Sequence, residues 1–320
     1  MDALSDVLKS VRLEGAVYLS AEFTAPWCIE ARHGLANARE RLPGAEHVMF
    51  FHYFVEGGCK VPLEDGEPLD VHTGDVLLFP HGDTQFMGSD LRLTPVQAEN
   101  LEPLDESEEN LVRIRHGGGG RATRVICGYL ACSRSLCRPM IEALPHAMRI
   151  PMTGPPGSVL VPELLKAAVQ ESASRQPGAE SMLAKLSELM FVEAMRCYMR
   201  SLPPEGRGWL AGARDAQVGR ALALMHAEPG KPWTVEELAR AVAMSRSALA
   251  DRFATLVGEP PMQYLTRWRL ALAAQALRAG REPVIRIAER AGYESEAAFS
   301  RAFKREFGVP PATWRRGRSA

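Results

Sequence analysis

At 320 residues the chain is too long for one comfortable core, so two domains are expected. Its 46% apolar and 24% charged residues are ordinary for a soluble globular protein, and the absence of any run of about 18 apolar residues excludes a membrane-spanning helix. The net charge of −1 conceals a split: from Trp209 onward there are 18 Lys and Arg against 11 Asp and Glu, so the rest of the chain is acidic. A basic C-terminal portion inside a neutral total points to a polyanion as its partner, or to attraction between the two portions.

The start does not read as a signal peptide. Leu4, Val7, Leu8 and Val11 follow helical spacing, interrupted by Asp6, Lys9 and Arg12, so a short amphipathic helix is predicted. Six cysteines without an export signal are expected to be reduced thiols in a cytoplasm.

Residues 15 to about 135 read mostly as β-structure. Short apolar runs, Val48–Val55, Val76–Phe79 and Arg124–Leu130, recur between glycine and proline turn signals. Asp65-Gly66 between two strand candidates is a hairpin signal. Glu99–Glu109 and Gly117–Gly120 read as solvated loops. Many short strands with this punctuation favour a barrel or a sandwich.

Two helices are predicted at Leu160–Ser172 and Ala179–Arg200, separated by Gln176-Pro177-Gly178. The second carries Leu183, Leu186, Leu189, Met190, Phe191, Val192 and Met195, more apolar surface than one core contact needs. A subunit interface, and hence a homodimer, is expected from it, with simple intramolecular packing as the alternative. Residues 203–214, opening with Pro203-Pro204-Glu205-Gly206, read as a linker. From Asp215 onward the chain is helical, with Val218, Ala221, Leu222 and Met225 on one face and a stop at Pro229-Gly230-Lys231-Pro232.

The C-terminal portion contains one pattern twice, about fifty residues apart. Copy one runs Val235 to Met244, Ser245 to Phe253, then Gly258-Glu259-Pro260-Pro261; copy two runs Val284 to Tyr293, Ser295 to Phe303, then Gly308-Val309-Pro310-Pro311. Leu238 and Ala239 correspond to Ile287 and Ala288, Leu249 and Phe253 to Phe299 and Phe303. Ser245 and Ser295 are N-cap candidates, because a serine hydroxyl accepts an orphan backbone N–H. Gly258 and Gly308 suit a left-handed C-cap. Helix, short turn, and a second helix with a polar outer face form a helix-turn-helix, whose second helix enters the major groove. Pro261 to Gly280 reads as one connecting helix of about 27 Å. That approaches the ~34 Å between successive major-groove windows, so one chain can fill two of them.

This region resembles the DNA-binding domain of AraC/XylS-type transcription regulators. The second copy, with Ile287-Ala288, Gly292-Tyr293-Glu294-Ser295, Phe299-Ser300-Arg301-Ala302-Phe303-Lys304, Phe307-Gly308 and Pro310-Pro311, matches that family's signature nearly throughout. The resemblance implies that base edges are read by Arg246, Ser247, Ala250 and Asp251 in copy one, and by Glu296, Ala297, Ser300 and Arg301 in copy two. Arg301 suits a bidentate contact to guanine. Asp251 either accepts from cytosine N4 or pairs with a neighbouring arginine. Ala250 and Ala297 offer only apolar contact. Lys304, Arg305, Arg315 and Arg316 are expected at phosphates.

The N-terminal region resembles the cupin-type sensor half of a subgroup of that family, through Gly66-Glu67-Pro68-Leu69, Gly74–Asp83 and Cys127-Gly128. The resemblance implies a small β-barrel able to hold a ligand or metal. His47, His52, His72 and His81 fall in it, but Gln85 stands where the cupin pattern puts histidine, and an amide oxygen is a weak transition-metal ligand. No metal, no cofactor and no enzymatic chemistry are therefore expected. The other candidates are cysteines: Cys127, Cys132 and Cys137, close in sequence, and Cys28. Some regulators of this subgroup resemble oxidant sensors with paired cysteines, and Arg121, Arg124, Arg134 and Arg138 flank the cluster; a sensor thiol needs thiolate character and exposure. The plainer reading makes Cys127 a small buried hydrophobe. Cys59 belongs to the same domain, and Cys197 is expected to pack on the interface helix.

The expected fold is α+β and multidomain. A cupin-like β-barrel with flanking helices occupies residues 1–202, the barrel about 15–135 and the helices about 160–200. A linker follows at 203–214. An all-α domain fills 215–320, its helix-turn-helix units at about 235–257 and 284–307 joined by the long helix. The expected function is a cytoplasmic regulator that binds promoter or operator DNA and responds to a small molecule or an oxidant, with RNA polymerase as a further partner and no membrane. A metal-storing or catalytic cupin and a constitutive architectural protein are the alternatives.

Overall fold

The computed structural model describes residues 2–10, 14–32, 45–63, 66–104, 112–132, 134–152, 160–174, 176–203, 205–280 and 282–316. In chain order these form α1 (Ala3–Ser10), β1 (Glu14–Thr24), β2 (Cys28–Ala31), β3 (His47–Glu56), β4 (Gly58–Val61), β5 (Leu69–His72), β6 (Asp75–Phe79), β7 (Gln85–Gly88), β8 (Val96–Gln97), β9 (Val112–Gly117) and β10 (Ala122–Cys132). Then come α2 (Arg134–Ile141), β11 (Met148–Pro151), α3 (Leu160–Ser174), α4 (Ala179–Ser201), α5 (Trp209–Arg214) and α6 (Ala216–Ala227). The helix-turn-helix copies are α7 (Val235–Ala241) with α8 (Arg246–Val257), and α10 (Val284–Arg290) with α11 (Glu296–Phe307). Between them runs α9 (Pro261–Ala279), and α12 (Pro311–Arg316) closes the described chain.

Two compact units result. One holds residues 13–132 and 144–202; the other holds 1–12, 133–143 and 203–320. Residues 1–12 and 133–143, which carry α1 and α2, group with the C-terminal helices and not with the sheets, unlike the expectation that put all of residues 1–202 in one domain. The expected linker of 203–214 is shortened: residues 209–214 are α5, whose Trp209, Leu210 and Ala211 are buried.

The β-unit is a pair of sheets, ordered β11-β6-β3-β10-β1-β9 and β5-β4-β7-β2-β8. The expected barrel does not close. Both sheets are mixed, since β1 pairs in parallel with β9 and β2 with β8. Among the described residues no ladder joins one sheet to the other, so the strands face each other instead of forming a ring. The strands flanking Asp65-Gly66, β4 and β5, pair antiparallel, with Val61 opposite Leu69.

Strands β3, β6 and β10 read as continuous apolar runs because both their faces are buried. Phe50, Phe54, Leu77, Phe79, Val125, Cys127 and Tyr129 point into the core between the sheets. Phe51, Val76, Leu78 and Leu130, on the other face, meet Val161 and Leu165 of α3 and Met190, Phe191 and Ala194 of α4. Helix α4 reaches β1 only because residue 15 is glycine: a Cβ there would stand 2.4 Å from that of Ser187.

In the helical unit, Val218, Ala221, Leu222 and Met225 of α6 are fully buried, the face expected of them. Leu238, Leu249, Phe253 and Leu265 complete the core of the first half. A polar chain crosses it: Trp209 Nε1 donates to Tyr264 Oη at 2.9 Å, and the Tyr264 hydroxyl donates to His226 Nε2 at 2.7 Å. The second half packs Leu270, Ala274 and Leu277 of α9 against Ile287, Ala288, Phe299 and Phe303. Trp314 stacks beside Phe307, and its indole N–H donates to the Ala274 carbonyl at 3.2 Å.

His226 carries a pH dependence. Burial pushes its imidazole down to about 4, so it is neutral in the fold. The unfolded chain takes up this proton below about pH 6.5. Between those values the unfolded state binds more protons, so stability is complete above pH 6.5 and is lost as pH falls toward 4, by roughly 3 kcal/mol over the window. Trp209, Trp233, Trp268 and Trp314 all lie in this unit, so urea titrations followed by tryptophan fluorescence at pH 7.5 and 5.0 report on it. His226→Gln is expected to flatten the acid loss; an equal loss in both proteins would assign it to another group.

Candidate nucleic-acid interface and sensor interior

The two copies fold by the same local chemistry. Thr234 opens α7 with a capping box: Glu237 N–H donates to Thr234 Oγ1 at 3.2 Å, and Thr234 N–H to Glu237 Oε2 at 2.9 Å. Ser245 and Ser295 cap α8 and α11, each accepting from the backbone N–H three residues on at 3.2 Å. Gly258 and Gly308 end those helices in the left-handed region, with φ of 91° and 78°. At the turn inside each unit, copy two has Gly292 at φ 78° and copy one has Ala243 at φ 56°.

These caps fix which faces of α8 and α11 turn inward. Leu249 and Phe253, and likewise Phe299 and Phe303, are wholly buried. On the opposite face of α8, Arg246, Ser247 and Asp251 are exposed and Ala250 is half-buried. On α11, Glu296, Ala297, Arg301 and Lys304 are exposed and Ser300 is half-buried. Each set falls on one stripe at i, i+1, i+4, i+5 spacing.

The two stripes differ in charge. Arg246 pairs with Glu236 at 2.9 Å, both largely exposed. Arg252, next to Asp251, is taken by Asp215 at 2.5 Å, and Asp215 in turn caps α6 by accepting from Gln217 and Val218. Asp251 has no ion-pair partner among the described residues, which leaves its carboxylate outward. On α11 the cations Arg301 and Lys304 likewise make no ion pair among the described residues. Arg315 departs from its expected place at phosphates: it donates to the Glu282 carbonyl at 2.6 Å and serves the fold. Arg252 and Arg315 look like any surface arginine in the sequence, because their partners lie about thirty residues away.

Between the sheets the candidate residues disperse. His52 and Cys127 are register partners on β3 and β10, and both face inward. His52 Nδ1 lies 3.0 Å from Cys127 Sγ, and its Nε2 hydrogen-bonds Gln85 Oε1 on β7 of the other sheet. With that amide accepting, the imidazole is protonated at Nε2 and Nδ1 accepts from the thiol. The Gln85 Nε2 atom is buried without a partner. The other histidines lie elsewhere: His47 bonds the Pro80 carbonyl, His81 the Leu144 carbonyl, and His72 is exposed. Among the described residues, no three His, Cys, Asp or Glu side chains gather as a metal-ligand set.

Cys127, Cys132 and Cys137, close in sequence, do not share one face of one element. All six cysteines are buried, and none forms a disulfide. Cys127 and Cys132, five apart on one strand, point to opposite faces, while Cys137 belongs to α2 in the other unit. Burial pushes the Cys127 thiol up to about 12, and burial followed by the Asp90 charge raises that of Cys28. Neither has the exposed thiolate that ready oxidation requires.

Comparison with known proteins agrees with both halves. A cupin family model matches residues 2–200, and a helix-turn-helix domain model matches residues 238–317. A putative AraC-like transcription regulator of Streptomyces antibioticus is 33% identical over 318 residues, spanning 99% of each chain. This chain belongs to the AraC-like transcription regulators. Within the family, the HTH-type transcriptional regulator AlkR of Acinetobacter baylyi is 31% identical, covering 98% of this chain and 99% of its own. The RCS-specific HTH-type transcriptional activator RclR of Escherichia coli is 28% identical over 98% of this chain and 97% of its own. Among solved structures, the DNA-binding domain of AdpA in complex with a target DNA is 30% identical, covering 32% of this chain and 92% of that one, with a TM-score of 0.31. These relatives are transcription regulators, not enzymes. Among the described residues of this AraC-like protein, no helix is long and apolar enough to cross a membrane.

Ala243 gives a direct test of the shared turn. A left-handed alanine costs about 1 kcal/mol or more, partly offset by glycine's greater chain entropy. Ala243→Gly is expected to raise stability by about 0.5–1 kcal/mol without loss of DNA affinity. A destabilised variant in urea titration would mean that the turn does not adopt this conformation.

Proposed function

We propose that this AraC-like regulator binds promoter or operator DNA sequence-specifically through α8 and α11, and that its N-terminal domain adjusts this binding in response to a small molecule. The carrying observation is the pair of exposed polar stripes, each backed by a buried aromatic or leucine pair and pinned by a serine cap. Arg246, Ser247, Ala250 and Asp251 read one window; Glu296, Ala297, Ser300 and Arg301 read the next. Arg301, a free guanidinium, takes guanine; Asp251 accepts from cytosine N4; Lys304 holds a phosphate. The protein works in the cytoplasm, where RNA polymerase is its further partner.

For the signal, a small molecule is favoured over an oxidant. The interior between the sheets offers an unpartnered Gln85 N–H to a ligand acceptor. The oxidant reading, through Cys127, Cys132, Cys137 or Cys28, keeps one observation in its favour: His52 stands as a base 3.0 Å from Cys127. We also propose a homodimer through α4, where Met182 and Leu189 stand exposed, at 52% and 44%; light scattering that gives a monomer at assay concentrations would remove it.

The test is binding of the full chain to a duplex selected from a random pool. Arg301→Ala is expected to lose about 1–3 kcal/mol and relax preference at one base pair; Lys304→Ala should weaken all sequences alike and lower the salt slope by about one. Unchanged preference in Arg301→Ala would discard the base-reading assignment. Mild oxidant should leave wild-type affinity unchanged; a change abolished by Cys127→Ser would revive the redox reading.

A further inference from the structure

Helix α2 interrupts the sheet-forming part of the sequence, one residue after β10 ends, yet it is built into the helical unit. Its apolar face is fully committed there: Leu136, Cys137, Met140 and Ile141 are all at most 4% exposed. It packs against α5, in the half that holds the first helix-turn-helix, and against the connecting helix α9. Just past its end, Ala143 meets Gly208, where a Cβ would stand 2.8 Å from the alanine methyl.

The polar side of α2 reaches the second half. Arg138 Nε donates to Glu142 Oε1 at 2.6 Å, and Arg138 Nη1 donates to Glu306 Oε1 at 3.4 Å. Glu306 lies in the last turn of α11, the helix that carries Arg301 and Lys304. Glu259, just before α9, feels the same guanidinium. One short helix thus touches the first half, the connector and the second recognition helix.

We propose that α2 is a strut that fixes the two recognition helices relative to each other, with Arg138 as the positioning residue for α11 through Glu306. The connector α9 sets the distance between the two halves, and a second brace limits how far one turns against the other. The strut rests on α8 and α11 being the helices that enter the groove.

The experiment uses the full chain and a duplex selected by the wild type, with variants of that duplex carrying one base pair inserted or removed between the two recognised windows. Arg138 is 45% exposed, so Arg138→Glu leaves the core intact while setting like charges against Glu142 and Glu306. The expected result is an affinity loss of about five- to tenfold on the selected duplex, together with a broadened spacing preference. Glu306→Arg alone should broaden the preference too, and the double variant should restore both readouts. A general loss of attraction for DNA would lower affinity at every spacing alike and would spare Glu306→Arg. Unchanged spacing preference in Arg138→Glu, or a double variant that is not restored, overturns the strut. A wild type that recognises a single window overturns the groove assignment of α8 and α11, and the strut with it.

Discussion

The burial of α9 at both ends is the constraint on which the DNA-binding unit depends. Near its start, Tyr264, Leu265 and Trp268 are sunk in the first helix-turn-helix core; further along, Ala273, Ala274 and Leu277 are sunk in the second. Its 19 residues give a rigid span of about 28 Å. That length, close to the ~34 Å repeat of major-groove windows, is covalent and needs no second subunit. Anchors at each end keep the helix from slipping. The Trp209–Tyr264–His226 chain holds one end, and Arg278 lies over the Trp314 ring, 4.2 Å from its centroid, at the other. Arg269 secures the loop after α6 by donating to the Pro229 and Lys231 carbonyls.

Much of this unit was legible in the sequence because its determinants are local. Serine caps, left-handed glycines and the i, i+4 pairs Leu249/Phe253 and Phe299/Phe303 act within a few residues, so spacing alone reveals them. Helix α9 was readable for the same reason. The partners of α1 and α2 were not. Periodicity shows that Leu4 and Val7 are buried but not against what, and Leu136 to Ile141 lie in a stretch otherwise rich in strands. Contacts such as Arg138 with Glu306, 168 residues apart, leave no local mark.

The β-unit shows the same limit from the other side. Turn signals and apolar runs located its strands, but closure of a barrel depends on pairings between distant segments. Here β1 takes β9 as a parallel neighbour and the sheets stay separate. Cysteine spacing misled for a related reason: strand alternation sends Cys127 inward to His52 and Cys132 to the opposite face, and desolvation overrides any help from nearby arginines. The glutamine at position 85 was informative. It ties the two sheets through His52, in the place where a cupin pattern would set a metal ligand.

In the DNA-binding unit, one helix spans both helix-turn-helix copies and is buried in the core of each. The most direct test is hydroxyl-radical footprinting of the full chain on a selected duplex, with the strand-cleavage pattern resolved to single nucleotides. Two protected patches per chain on one face of the duplex, about 10 base pairs apart, are predicted. A single patch per chain would contradict the account.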